Sequence, residues 1–230
     1  MFQRKNLDVS RYLILGPENT KGRPVPDIVR AAVAAGFTCV QLRAKKSTAR
    51  EILALARAIY ETIAAAGAEA RVPLLINDRL DLALAAREQG VPVTGVHVGQ
   101  DDVPPEICRK LLGENSIVGL SAPREQLLAY IRERDLSAVD YLGAGPVHPT
   151  ASKPDAGLLT DGTRHLRTFA ELKELAARSP IPVIAGGGVT ARDLPALKNT
   201  GVIGFFVISA VASAMDPAAA ARELVEIWQA

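Results

Sequence analysis

Eight short apolar runs, each followed by a helical pattern, limit what this 230-residue chain can fold into. The runs fall at 12–15, 38–42, 73–76, 95–98, 117–119, 139–142, 183–185 and 204–208. Most are continuous rather than alternating, as parallel strands covered on both faces require. Helical patterns fill the rest: 26–35, 47–66, 79–89, 104–112, 124–134, 163–178, 191–199 and 217–228. Within 47–66, Ile52, Leu55, Ala56 and Ile59 recur at the spacing of one helix face. Ser47-Thr48, Pro104 and Asp216-Pro217 read as helix starts. Gly36, Gly67, Gly90, Gly113 and Gly201 fall near helix ends, where a left-handed cap favours glycine. Strict alternation at a length near the ~250 residues of a closed barrel predicts an α/β chain, a (β/α)8 TIM barrel. It would be a single domain over 1–230, with its core at about 11–228. The rival is an open doubly wound sheet, and eight clean repeats favour closure.

Composition excludes several classes. A net charge of +2 gives no concentrated basic face for nucleic acid. No apolar stretch reaches the ~20 residues needed to span a membrane, and 1–6 lacks the apolar run of a signal peptide. Cys39 and Cys108 form no metal or redox spacing, so the chain reads as cytoplasmic and reduced. Cys39, inside a predicted strand, reads as a small buried apolar residue. Oligomeric state is left open, a homo-oligomer included.

Chemistry concentrates where strands stop, the face of such a barrel that carries active sites. Gln41-Leu42-Arg43-Ala44-Lys45 ends the second strand; the fork of Arg43 and the point charge of Lys45 suit phosphate. Asn77-Asp78-Arg79 follows the third strand, and Gly99-Gln100-Asp101-Asp102 the fourth. Either acidic cluster alone reads as a helix cap. Their recurrence on adjacent loops, beside a basic segment, is more than capping requires. Two such carboxylates could share one hard cation such as Mg²⁺, which accepts substrate phosphates into its shell. His97 lies within its strand and is left open between base and packing residue, with packing favoured.

A long connection, 143–162, follows the sixth strand and would hang over the top face as a lid. Its segment His148-Pro149-Thr150-Ala151-Ser152-Lys153 offers hydroxyls and a lysine to an anion. Ala185-Gly186-Gly187-Gly188-Val189 follows the seventh strand and Ile208-Ser209-Ala210 the eighth, where barrels often hold a phosphate on backbone N–H groups. The residues thus point to two anion sites in one pocket, one metal-assisted and one metal-free. Such a pocket suits a reaction joining two phosphorylated molecules.

Taken together, Gln41–Lys45, Leu75-Ile76-Asn77-Asp78-Arg79, Gly95-Val96-His97-Val98-Gly99-Gln100-Asp101-Asp102, Gly145-Pro146-Val147 and Lys153 resemble the thiamine-phosphate synthase (thiamine-phosphate pyrophosphorylase) family, in the family's order. The resemblance implies a transferase of thiamine biosynthesis on a (β/α)8 barrel. It would join 4-amino-2-methyl-5-hydroxymethylpyrimidine diphosphate to 4-methyl-5-(2-phosphoethyl)thiazole, releasing diphosphate, with Mg²⁺. By the same resemblance Gln41, Arg43, Lys45, Asn77, Ser121 and Lys153 would contact the pyrimidine diphosphate, and Asp78 and Asp102 would bind Mg²⁺. Thr150, Ser152, Gly188, Ile208 and Ser209 would hold the thiazole phosphate. The implied mechanism is dissociative: diphosphate leaves first, its charge met by Arg43, Lys45 and Lys153, and the thiazole nitrogen captures the cation. Ser121 completes the implied catalytic set. A thiazole tautomerase-like or regulatory barrel of the same superfamily is the alternative. It fits less well, because the charged residues are retained and Ser121 is followed by Ala122-Pro123 rather than a histidine.

Overall fold

The computed structural model describes residues 2–123, 125–153, 156–159 and 161–230. Strands β1 (Arg11–Leu15), β2 (Cys39–Leu42), β3 (Leu74–Asn77), β4 (Gly95–Val98), β5 (Ile117–Ser121), β6 (Tyr141–Ala144), β7 (Val183–Gly186) and β8 (Gly204–Val207) pair in parallel, each with the next. Pairing of β8 with β1 closes the barrel. Helices α1 (Val25–Ala35), α2 (Ala49–Ala65), α3 (Leu80–Glu88), α4 (Pro105–Leu112), α5 (Leu127–Glu133), α6 (Phe169–Arg178), α7 (Leu194–Lys198), α8 (Ser209–Ala212) and α9 (Pro217–Gln229) alternate with them. The (β/α)8 expectation holds.

Strand alternation sorts the side chains into two layers. Along β2, Val40 and Leu42 join the outer core under the helices, while Cys39 joins the barrel interior with Tyr12, Leu75, Ile117, Tyr141 and Ile184. Both faces are apolar, which is why the runs look continuous in sequence. Phe2 and Val9, from the segment before β1, extend the interior cluster downward and floor the barrel. Toward the C-terminal ends of the strands the interior turns polar, with Gln41, Asn77, His97 and Ser121.

The helix starts follow local chemistry. Thr48 accepts from the Glu51 N–H while Glu51 reaches back, a capping box. The Asp216 side chain accepts from the N–H groups of Ala218 and Ala219 ahead of α9. Several expected bounds shift. Strand β6 begins two residues later than expected at 139, because the Asp140 carboxylate accepts from the Val118 N–H and the Arg109 guanidinium below it. Helix α6 starts at Phe169, not 163, behind a capping box of Thr168 with Glu171. The stretch 191–199 divides into a 3-10 turn, Ala191–Asp193, and α7. The connection after β6 therefore runs over 145–168, and an antiparallel bridge between Leu158 and Arg164 gives it internal structure. The expected start of the fifth helix at Arg124 lies outside the described residues, and the observed helix begins only at Leu127, after Gln126 in a left-handed conformation. Among the described residues no helix is long and apolar enough to cross a membrane.

Candidate active site

The barrel mouth gathers the charged residues of β2, β3 and β4. Lys45 Nζ lies 2.5 Å from Asp78 Oδ2. Asp78 turns the chain with φ 60°, a conformation that Asp and Asn tolerate better than most residues. Its expected alternative role as a cap is not observed: Arg79 precedes α3, and no side chain caps that helix. Asp102 accepts from the Gly99 N–H at 2.7 Å, folding its loop back on itself. The Asp78 and Asp102 carboxyls lie close enough to act on each other electrostatically. Burial alone would raise Asp78, but its partners Lys45 and Asp102 outweigh that and hold it below the usual carboxylate range. Burial, with the neighbouring charge of Asp78, raises Asp102 despite the Gly99 N–H. Asp78 is thus the charged member of the pair and Asp102 the one that more readily keeps a proton.

Two neighbouring hard carboxylates suit a divalent cation, with water and phosphate oxygens completing the shell of Mg²⁺. No group of three or more His, Cys, Asp or Glu side chains suited to a metal occurs among the described residues. Asp78 and Asp102 are the residues that could hold such a cation.

Arg43 reaches from β2 to the long connection, its Nη1 donating to the Ser152 carbonyl at 3.2 Å. The charge of Lys153 is close enough to act on His97. Thr150 Oγ1 accepts from the Ser152 N–H at 3.2 Å, shaping the loop between them. Asn77 ends β3 in register with His97. On the far arc, the N–H groups of Val147 and His148 donate to the Gly187 carbonyl at 3.0 and 2.9 Å, tying the base of the long connection to the β7 loop. His148 Nε2 pairs with Asp193 Oδ1 at 2.8 Å and strengthens that joint. Gly188 has φ 74°, and a Cβ there would come within 2.8 Å of His148 Cβ. The turn and its neighbour therefore already require glycine at that position. Ile208 precedes α8, and Ser209, its first residue, is exposed.

A hydrogen-bond chain, not expected from the sequence, crosses the barrel interior. Gln41 Nε2 donates to Tyr12 Oη at 2.7 Å, and Tyr12 Oη meets Tyr141 Oη at 2.8 Å. Tyr141 Oη lies 3.0 Å from His97 Nδ1, and His97 Nε2 lies 3.0 Å from Ser121 Oγ. Gly119 makes the room: a Cβ there would clash with the Tyr141 ring and His97 Nδ1. Burial, with the charge of Lys153, lowers the His97 pKa to about 4, so the ring is neutral near pH 7. His97 is packed, as expected, but it also links two expected site residues. A surface cavity of about 490 Å³ on the flank of α5 and α6 contains none of the expected site residues.

The sequence matches the family model described as thiamine monophosphate synthase over residues 11–211. It is 42% identical to the thiamine-phosphate synthase of Corynebacterium efficiens over 222 residues, covering 96% of both chains. With that of Syntrophomonas wolfei it shares 39% over 224 residues, covering 97% of this chain and 98% of the other. The fold is similar to the thiamine phosphate pyrophosphorylase of Pyrococcus furiosus, with a TM-score of 0.75, 28% identity, and 98% and 97% coverage. Mycobacterium tuberculosis tryptophan synthase, at 16% identity and TM-score 0.67, shares the fold alone.

Proposed function

The chain belongs to the thiamine monophosphate synthase family, a family of transferases, and from that premise we propose that it joins 4-amino-2-methyl-5-hydroxymethylpyrimidine diphosphate to 4-methyl-5-(2-phosphoethyl)thiazole. The products are thiamine phosphate and diphosphate. The observation that carries this reading is the cluster of Lys45, Asp78 and Asp102 beside Arg43 at the mouth. It offers a cation site and a polyanion site side by side.

In this reading the bond from the pyrimidine methylene carbon to the diphosphate oxygen breaks, and its electron pair leaves with the diphosphate. The thiazole nitrogen then gives its lone pair to the carbon. Arg43, Lys45 and Lys153 hold the charge that grows on the departing diphosphate, in a site where fixed cations act more strongly than in water. Asp78 and Asp102 would hold Mg²⁺, which when bound neutralises part of that charge. Gln41, Asn77 and Ser121 orient the pyrimidine. Thr150, Ser152, Gly188, Ile208 and Ser209 take the thiazole phosphate on the far arc. Closure of 145–168, already in contact with Arg43, excludes water that would otherwise capture the carbocation.

The test is an assay of purified protein with both substrates, with and without Mg²⁺, following thiamine phosphate and diphosphate in equal amounts. Product only with Mg²⁺ supports the reading. No product from the two substrates at any Mg²⁺ concentration overturns it.

A further inference from the structure

We propose that the interior chain from Gln41 through Tyr12, Tyr141 and His97 to Ser121 has a fixed direction of donation, which sets His97 as the Nε2–H tautomer and presents the Ser121 hydroxyl to the pyrimidine substrate as a hydrogen-bond donor. The inference rests on the proposed function for its substrate, but its first test does not.

The direction follows from counting protons. The amide nitrogen of Gln41 only donates, so Tyr12 must accept there. Tyr12 is fully buried, and the one nitrogen or oxygen acceptor it meets among the described residues is Tyr141 Oη. The neighbouring Cys39 is a buried thiol that keeps its proton and is a poor acceptor. Tyr12 therefore donates to Tyr141, whose own proton goes to His97 Nδ1. A neutral imidazole with Nδ1 accepting carries its proton on Nε2, which donates to Ser121 Oγ. That leaves the serine proton free to point into the pocket. At the other end, the amide nitrogen of Gln41 is anchored, so its carbonyl is turned the opposite way. Tyr12, Tyr141 and His97 are positioning residues; Gln41 and Ser121 meet the substrate.

The experiment is a long-range ¹H–¹⁵N spectrum of the imidazoles in the full chain without substrate. Among the three histidines, His97 is assigned by its loss in His97→Gln. The expected ring has a protonated Nε2 and a pyridine-like Nδ1 at pH 7. A protonated Nδ1 would mean that the Gln41 amide faces the other way and the whole chain runs in reverse, which overturns the proposal. A doubly protonated ring overturns it too. Ser121→Ala should leave the tautomer unchanged, because the direction is set from the Gln41 end; a switched tautomer there counts against it. Tyr12→Phe keeps the ring and removes the hydroxyl. It should give a mixed tautomer and raise KM for the pyrimidine diphosphate by about tenfold, the scale of one misdirected hydrogen bond, with KM for the thiazole phosphate unchanged. Equal rises in both constants would mean a merely structural role. The unmodified protein's spectrum decides even where a variant folds poorly. A reversed tautomer defeats the proposal even if thiamine phosphate is made, whereas failure to make thiamine phosphate defeats the functional reading alone.

Discussion

Two ion pairs of the same chemistry sit at opposite ends of the barrel, and their surroundings differ. At the floor, Arg109 Nη2 meets Asp140 Oδ2 at 2.7 Å, with the two side chains 8% and 7% exposed. The same carboxylate accepts from the Val118 N–H at 2.7 Å and from Arg4 Nε at 2.5 Å. Arg109 also donates to the carbonyls of Ser116 and Ala138. At the mouth, Lys45 and Asp78 are 54% and 17% exposed, and beside Asp78 stands a second carboxylate. The floor buries its paired charges and also ties them to main-chain groups that never leave. The mouth pairs its charges with one another, so a ligand can take either partner in exchange. Strand bottoms of such barrels serve stability and strand tops serve chemistry.

That contrast can be broken at either end. Asp140→Ala should cost about 3–5 kcal/mol of stability, because it leaves Arg109 buried without its counter-charge. Denaturant midpoints measure this, and turnover per folded molecule should stay near wild type; a lost turnover would mean that floor and mouth are not separable. Asp78→Asn and Asp102→Asn should do the reverse. Each should lower kcat by about 10²–10³-fold, the scale of one charge-stabilising group, and raise the Mg²⁺ needed for half-maximal rate. The denaturant midpoint should not move, since Asn tolerates the φ of 60° at position 78. Normal Mg²⁺ response in both variants would remove the metal from these carboxylates.

Two smaller effects sharpen the picture of the mouth itself. Lys153→Ala should slow single-turnover chemistry by about a hundredfold while leaving thiazole phosphate binding intact. If only that binding changed, the lysine would belong to the other arc. Ser209→Ala should raise KM for thiazole phosphate alone, by about fivefold for one lost hydrogen bond of roughly 1 kcal/mol; an equal rise for the pyrimidine diphosphate would merge the two arcs. Ser209 is the cleaner probe there, because any side chain at Gly188 would first strike His148.

The barrel was legible because its signals are local. Apolar runs, caps at Thr48 and Asp216, and glycines past helix ends all act within a few residues. The start of α6 was legible too: Thr168 and Glu171 have capping-box spacing, but the helical pattern from 163 masked it. The sequence starts β6 too early because Val139 is apolar and buried like a strand residue, while the ties of Asp140 to Val118 and Arg109 come from distant segments. The acidic and basic residues of the mouth were legible as types at strand ends. Their partnerships were not, since Lys45 and Asp78 come from different strands. In the sequence Tyr12 and Tyr141 show only as strand residues. A buried phenol needs a partner for its hydroxyl, and that requirement was the available signal; nothing in the sequence says which residue meets it.

The interior chain also bears on when the protein becomes competent. Its members come from β1, β2, β4, β5 and β6, and the Tyr12–Tyr141 link spans 129 positions. Closing so long a loop costs entropy before the contact returns anything. A chain emerging from the ribosome through β5 already carries Gln41, Asn77, His97 and Ser121, but not Tyr141, which joins the Gln41–Tyr12 half of the chain to the His97–Ser121 half. Orientation of the site thus arrives with tertiary closure rather than with synthesis of the residues that form it. Unfinished chains would hold the polar groups of the mouth without the link that aligns them, so the step from partly built to whole barrel is also the step from inert to active.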